Sequence, residues 1–238
     1  MRSFLALTNV EFRLFVRDPG AAFFTLLFPT ILLIANNSFF DEADEGSMAV
    51  ALPMLIGMVL GMVGVAMVPA FVAEYREQSV LRRLMATPVS PVRLLLANGA
   101  AQLLVALLAM VLLVGVGAVF FGAEAPAAPL LFLGVWLLGA FSLLGVGFLV
   151  AALAPTGRSA NAVGLGLFFP MLFLSGGMVP REEMSGTAAR IGDFLPLGPV
   201  IRGLRDAWEG SVPQPHILAA MLLVLLVTSG LAARFFRW

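Results

Sequence analysis

Apolar residues run along this chain in six long blocks, and nearly all of its charge sits in the short stretches between them. The blocks cover roughly Ala21–Phe39, Ala49–Ala73, Leu94–Phe121, Leu130–Leu153, Asn161–Val179 and Ile217–Phe235. Crossing about 30 Å of hydrocarbon takes about 20 helical residues. Apart from Arg234 at the end of the sixth, no block contains Asp, Glu, Lys, Arg or His. An open sheet edge in lipid would leave backbone groups unpaired, so the blocks read as helices. The pattern predicts an all-α membrane protein with six transmembrane helices, organised as one domain over residues 1–238.

Two further stretches are patterned. In Met1–Asp18, Phe4, Leu5, Thr8, Phe12, Phe15 and Val16 fall near one helical face, with Arg2, Asn9, Arg13 and Arg17 mostly elsewhere. This predicts an amphipathic helix over residues 1–19 lying on the membrane surface, stopped before Pro19-Gly20. Residues 180–215 form a long connection holding Ile191, Phe194, Leu195, Leu197, Val200, Ile201, Leu204 and Trp208 among its charges. A solvated loop has no need of them. They predict short helices dipping back toward the membrane, broken at Pro196 and Pro199.

Composition agrees with a bilayer protein. Hydrophobic residues make up 61% and charged residues 12%, against about 45–50% and about 25% in soluble domains. Formal net charge is zero, which gives no basic face for nucleic acid. The absence of Cys excludes disulfides, thiol catalysis and thiolate metal sites. All fourteen basic residues are Arg, a bias expected of a GC-rich bacterial genome. The first residues mix charge with apolar positions and show no signal-peptide pattern.

The arginines set the expected orientation. With the N-terminus inside, ten of the fourteen lie on the cytoplasmic side: Arg2, Arg13, Arg17, Arg76, Arg82, Arg83, Arg93, Arg158, Arg234 and Arg237. Ten of the fourteen acids lie on the other. Both termini are then cytoplasmic, in a cell inner membrane.

Glu74–Arg93 is the most charged of the inner segments, with Glu74, Arg76, Glu77, Arg82, Arg83 and Arg93 between two apolar blocks. Val80, Leu81, Leu84 and Met85 share a helical face. Thr87-Pro88 ends that helix, because the residue before proline is pushed from the helical region. Ser90-Pro91 starts the next, with Ser as cap and Pro at the first position. On chemistry alone, such an element serves equally as a headgroup anchor or as a rigid transmitter of force.

Tyr75–Arg93, YREQSVLRRLMATPVSPVR, resembles the loop between the second and third spans of ABC-2 type transporter permeases. The shared pattern is an acidic-basic start, a Leu-Arg-Arg-Leu core and a Thr-Pro-Val-Ser-Pro end, with Ser79 where many members carry Gly. Leu195-Pro196 followed by Arg205 resembles the family's element before the last span. The resemblance implies an exporter's membrane subunit, with residues 74–93 as a coupling helix seated on a separate ATP-binding subunit. Its implied contact residues are Glu74, Arg76, Glu77, Leu81, Arg82, Arg83, Leu84, Thr87 and Pro88. It further implies a second permease subunit, identical or not, and ATP with Mg bound by the partner rather than by this chain.

The chemistry is compatible. Ion-coupled carriers keep ionisable groups inside the membrane, and apart from Arg234 at one end these blocks lack them. A chain without Lys has no G-x-x-x-x-G-K-[ST] phosphate loop. An apolar path for a hydrophobic drug, antibiotic, lipid or glycan carrier would be lined by Met54, Met58 and Met62, with Phe168, Phe169, Met171 and Phe173. Met adapts to varied apolar ligands. The steps Gly57–Gly61, Gly61–Gly64 and Gly164–Gly166 suggest close helix contacts and a candidate dimer seam.

Other readings are weaker. A channel or ATP-independent scramblase would show charge rings or a carbonyl filter, or else only a hydrophobic gate. An intramembrane serine protease would need Ser175 activated by His216, the only His. Asp41, Glu42, Asp44 and Glu45 do not have calcium-loop spacing.

Overall fold

The computed structural model describes residues 2–39, 47–78, 91–178 and 184–235. Among them all regular structure is helical. Helix α1 is Arg2–Arg17. Helix α2 runs through residues 19–39 and α3 through residues 47–77. Helices α4 (Pro91–Phe121), α5 (Pro129–Leu153) and α6 (Gly157–Leu174) follow. Two short helices, α7 (Gly186–Phe194) and α8 (Leu197–Trp208), precede α9 (Pro215–Phe235).

Among the described residues five helices are long and apolar enough to cross a membrane, or six if the bent pair α1 and α2 counts as one span. The bend between α1 and α2 is 84°. Asp18 makes it: its Oδ1 accepts from the Ala21 amide at 3.0 Å, and Pro19 opens α2 at the position where its missing N–H costs nothing.

The expected N-terminal helix is present, but its buried stripe differs. Thr8, Glu11 and Phe15 are buried, while Leu5 and Val16 are exposed. Leu5 and Val16 are thus available to lipid, and the stripe facing protein carries a carboxylate.

Helices α2 and α3 each contain a π-helical stretch, Phe23–Leu27 and Met62–Met67. Each ends two residues before a proline, Pro29 or Pro69. A proline ring collides with the carbonyl four residues back, here Thr25 or Val65, inside the widened stretch. The two π segments meet where Thr25 Oγ1 donates to Met67 Sδ at 3.4 Å.

Helices α3 and α5 form the centre. Their spanning windows are 83% and 72% buried, against 17–28% for α4, α6 and α9. They approach at backbone distance. A Cβ on Gly64 would lie 2.9 Å from the Leu143 carbonyl carbon, and one on Gly147 would overlap the Gly64 carbonyl oxygen. On its other side α3 meets α6, where a Cβ on Gly164 would stand 2.7 Å from the Val65 oxygen. Gly57 and Gly61 face Ile201 and Leu197 of α8. Gly57, Gly61, Gly64 and Gly164 therefore seat helices within the chain, whereas Gly166 has nothing within 4 Å among the described residues.

The segment before the last span does fold back. Leu197, Val200 and Leu204 of α8 are fully buried, and Trp208 meets Phe132 of α5 edge-on at 5.3 Å between ring centres. The expected break occurs at Pro196 but not at Pro199, which lies within the first turn of α8. Amides there have no helical acceptor, so proline is tolerated.

The α3–α5 contact gives a direct test. Gly147→Val places methyl groups against the α3 backbone and is expected to cost about 1–3 kcal/mol or more. Thermal unfolding in detergent should show a lowered midpoint. Gly230→Ala, at a position with open space, should leave the midpoint within error.

Candidate functional site

The apolar block of α3 ends at Ala73, but the helix continues to Glu77. Successive residues on a helix point about 100° apart, so Glu74, Tyr75, Arg76 and Glu77 face four directions. Each meets something different.

Tyr75 Oη donates to Glu11 Oε2 at 2.7 Å, and Asn98 Nδ2 of α4 donates to the same oxygen at 2.8 Å. Glu11 is 8% exposed. Its carboxylate thus joins α1, α3 and α4 at one point. Arg76 Nη1 donates to the Ala152 carbonyl at 3.2 Å, and Nη2 donates to the Ala154 carbonyl. Terminal carbonyls lack helical partners and carry the negative end of the helix dipole, so a guanidinium at the end of α5 satisfies both. Glu77 Oε2 accepts from the Gly157 amide at 2.9 Å. That places an anion on the positive end of α6. Thr156 and Ser159 complete this terminus as a capping box. Glu74 is exposed and accepts from Gln78 Nε2 at 2.8 Å.

Residues 79–90 connect this hub to α4. Of the residues implied in coupling, Glu74, Arg76 and Glu77 belong to it. Leu81, Arg82, Arg83, Leu84, Thr87 and Pro88 lie outside the described residues, as do Ser90 and the acids at 41–45. Tyr75, Glu11 and Asn98 were not singled out from sequence. The available signal was a polar residue inside an apolar helical stripe: Glu11 stands three residues after Thr8 and four before Phe15, and Asn98 lies in an apolar span four residues before Gln102.

A groove of about 780 Å³ runs between α2, α3 and α6, starting beside the hub. Phe24, Phe28 and Leu32 line it from α2, Met58, Met62, Met67 and Phe71 from α3, and Leu165, Phe168, Phe169 and Phe173 from α6. Of the sequence-derived path residues, Met58, Met62, Phe168, Phe169 and Phe173 line this groove. Met54 and Met171 do not. Met54 is turned by about 80° from Met62 along a regular helix and borders a small cavity of about 40 Å³ with Ser175, Ile201, Arg202 and Arg205. Met171 lies about 200° round α6 from Phe169 and is 4% exposed, in the core.

Among the described residues the groove's charged lining residues are Asp18, Glu74 and Arg158, with Asn161 beside them, all at the hub end. Along α6, Asn161, Leu165, Phe169 and Phe173 are exposed at four-residue steps. This helix has the lowest mean hydropathy of the candidate spans, 1.2, and its window is only 28% buried.

Among the described residues no group of three or more His, Cys, Asp or Glu is placed to hold a metal. Ser175 is buried with its Oγ unpartnered among the described residues, while His216 is exposed at the start of α9.

A comparison with curated proteins finds no match. The family model for the ABC-2 type transporter matches residues 2–208, from α1 through α8. The chain belongs to the ABC-2 type transporter family, as a multi-pass permease subunit of an ABC transporter that is not itself the catalytic component.

Proposed function

We propose that this chain moves a hydrophobic or amphipathic compound out of the cell, driven by a separate ATP-binding subunit that docks on residues 74–93. The observation that carries this reading is the hub at the end of α3. One helical turn is fastened to α1 and α4 through Glu11, to the end of α5 through Arg76, and to the start of α6 through Glu77. Displacement of the 79–90 segment would therefore reach most of the bundle at once. ATP and Mg belong to the partner in this reading, since a phosphate loop needs the Lys that this chain lacks.

The hub lies on the cytoplasmic side and both termini are inside, as the arginine distribution supports. A second permease subunit, identical or related, covers α6. That helix is the least apolar span yet among the most exposed, which suits protein and a shared cavity better than acyl chains. The groove between α2, α3 and α6 is then half of the path. Its volume falls in the range of about 300–1,000 Å³ usual for small-molecule sites.

Two experiments follow. Arg82→Glu combined with Arg83→Glu reverses charge on the docking segment. In the assembled transporter it should cut substrate-stimulated ATPase turnover by about tenfold or more, the effect of losing charge pairs worth at least 1.4 kcal/mol, with membrane insertion unchanged. Unchanged stimulated turnover would sink the coupling assignment.

Glu11→Ala removes the acceptor for the buried Asn98 donor and the half-buried Tyr75 hydroxyl, and a buried donor left unsatisfied costs about 1–3 kcal/mol. Transport should fall and stimulated ATPase should uncouple from it, while Glu11→Gln, which keeps an acceptor oxygen, restores most of the coupling. Equal loss in both variants at equal expression would mean that the site only holds the fold.

A further inference from the structure

The groove is polar at one end only. Its shaft is walled by Phe, Leu, Met and Ala, and among the described residues every charged residue lining it sits beside the hub. A ligand matching that surface has an apolar body and one polar head. The charge of the head follows from three side chains. Asp18 and Glu74 bring two carboxylates and Arg158 one guanidinium, and among the described residues no ion pair joins Arg158 to either acid.

The two acids are not equivalent. Asp18 caps α2, so the positive end of that helix offsets its charge. Glu74 is in the last turn of α3, where the helix dipole is negative and adds to it. Its hydrogen-bond partner is the neutral Gln78 amide. The nearby start of α6 already has an anion, Glu77, on the Gly157 amide. Aromatic rings also line the adjoining walls, at Phe24 and Phe71. The negative face of an aromatic ring attracts a cation and gives nothing comparable to an anion.

We infer that the groove takes amphipaths carrying a cationic head, held with that head at Glu74 and Asp18 and the apolar body along α3 and α6. This deepens the proposed function and rests on the groove being the binding path. It selects amine-bearing or onium-bearing hydrophobic compounds from the wider set and excludes phosphate-headed lipids and phosphate-linked glycan carriers.

Tetraphenylphosphonium and tetraphenylborate have nearly the same size and shape but opposite charge, which makes them suitable probes. Equilibrium binding of each to the purified full-length chain in detergent, above micelle background, should show tighter protein-dependent binding of the phosphonium. Glu74→Gln should weaken phosphonium binding by roughly fivefold or more and leave tetraphenylborate unchanged or tighter, and Arg158→Gln should tighten the phosphonium.

Leu165→Trp, which fills the shaft, should weaken whichever ion binds. If it weakens the bound ions but the borate binds as well as or better than the phosphonium, or Glu74→Gln has no effect, the groove stands and the cation assignment is overturned. If Leu165→Trp changes neither ion's binding, or neither ion binds, the groove reading fails and the inference with it.

Discussion

A single carboxylate oxygen sets the geometry of the loop end of this bundle. Glu11 sits in a helix that the rest of its sequence would let lie anywhere on a membrane surface. Burying its charge is costly unless donors meet it, and the two that do come from Tyr75 at the end of α3 and Asn98 near the start of α4. Helix α1 is therefore fixed against both helices that flank residues 79–90. Without that pairing α1 would keep its amphipathic pattern but lose its register against the bundle. The position from which the 79–90 segment leaves depends on this contact, as does the placing of Asp18 at the mouth of the groove through the short α1–α2 corner.

The neighbouring contacts work on the same principle, because charged side chains are matched to unsatisfied helix ends. Arg76 meets the terminal carbonyls of α5, and Glu77 meets the first amide of α6. Both ends need polar partners, since neither a final carbonyl nor a first amide has one within its own helix. Together with Glu11 this makes the last turn of α3 a junction of five helices. The charge of this segment, which looks like a surface feature in the sequence, is partly spent inside the molecule.

Much of the fold is legible in the sequence because hydrophobic length and helical spacing are local properties. The six apolar blocks, the first helix ending before Asp18, and the helices folded back between Gly186 and Trp208 all follow from them. The hub is less legible. A helical projection treats Glu11 as a blemish in an apolar stripe, and nothing local says that Tyr75 lies opposite. Arg76 binds backbone carbonyls, which have no side-chain signature at all. Met54 and Met171 illustrate a different limit. Spacing places residues on a face, but which face meets the groove is decided by neighbours, and the π segment at Met62–Met67 shifts the phase of everything beyond it. Pro199 looks like a helix breaker until its place in the first turn of α8 is known.

That π segment also explains how one helix serves both the hub and the groove. Before it, α3 is clamped to α8 by Gly57 and Gly61; at its middle, Gly64 and Val65 press against α5 and α6. After it, the helix carries Phe71 and Glu74 of the groove wall on the same few turns as Tyr75, Arg76 and Glu77 of the hub. The widened turns between interrupt the regular helix, as π-bulges at functional sites often do, and they meet the matching π segment of α2 through Thr25 and Met67. A force applied at the hub therefore finds a stiff, glycine-seated helix on one side of this stretch and a shorter lever on the other. On the proposed mechanism the lever moves Glu74 and Phe71 relative to Met58, so the polar mouth of the groove shifts against its apolar shaft. A permease driven from one end needs such a device, because a uniformly rigid α3 would pass the push through the bundle without changing the shape of the path.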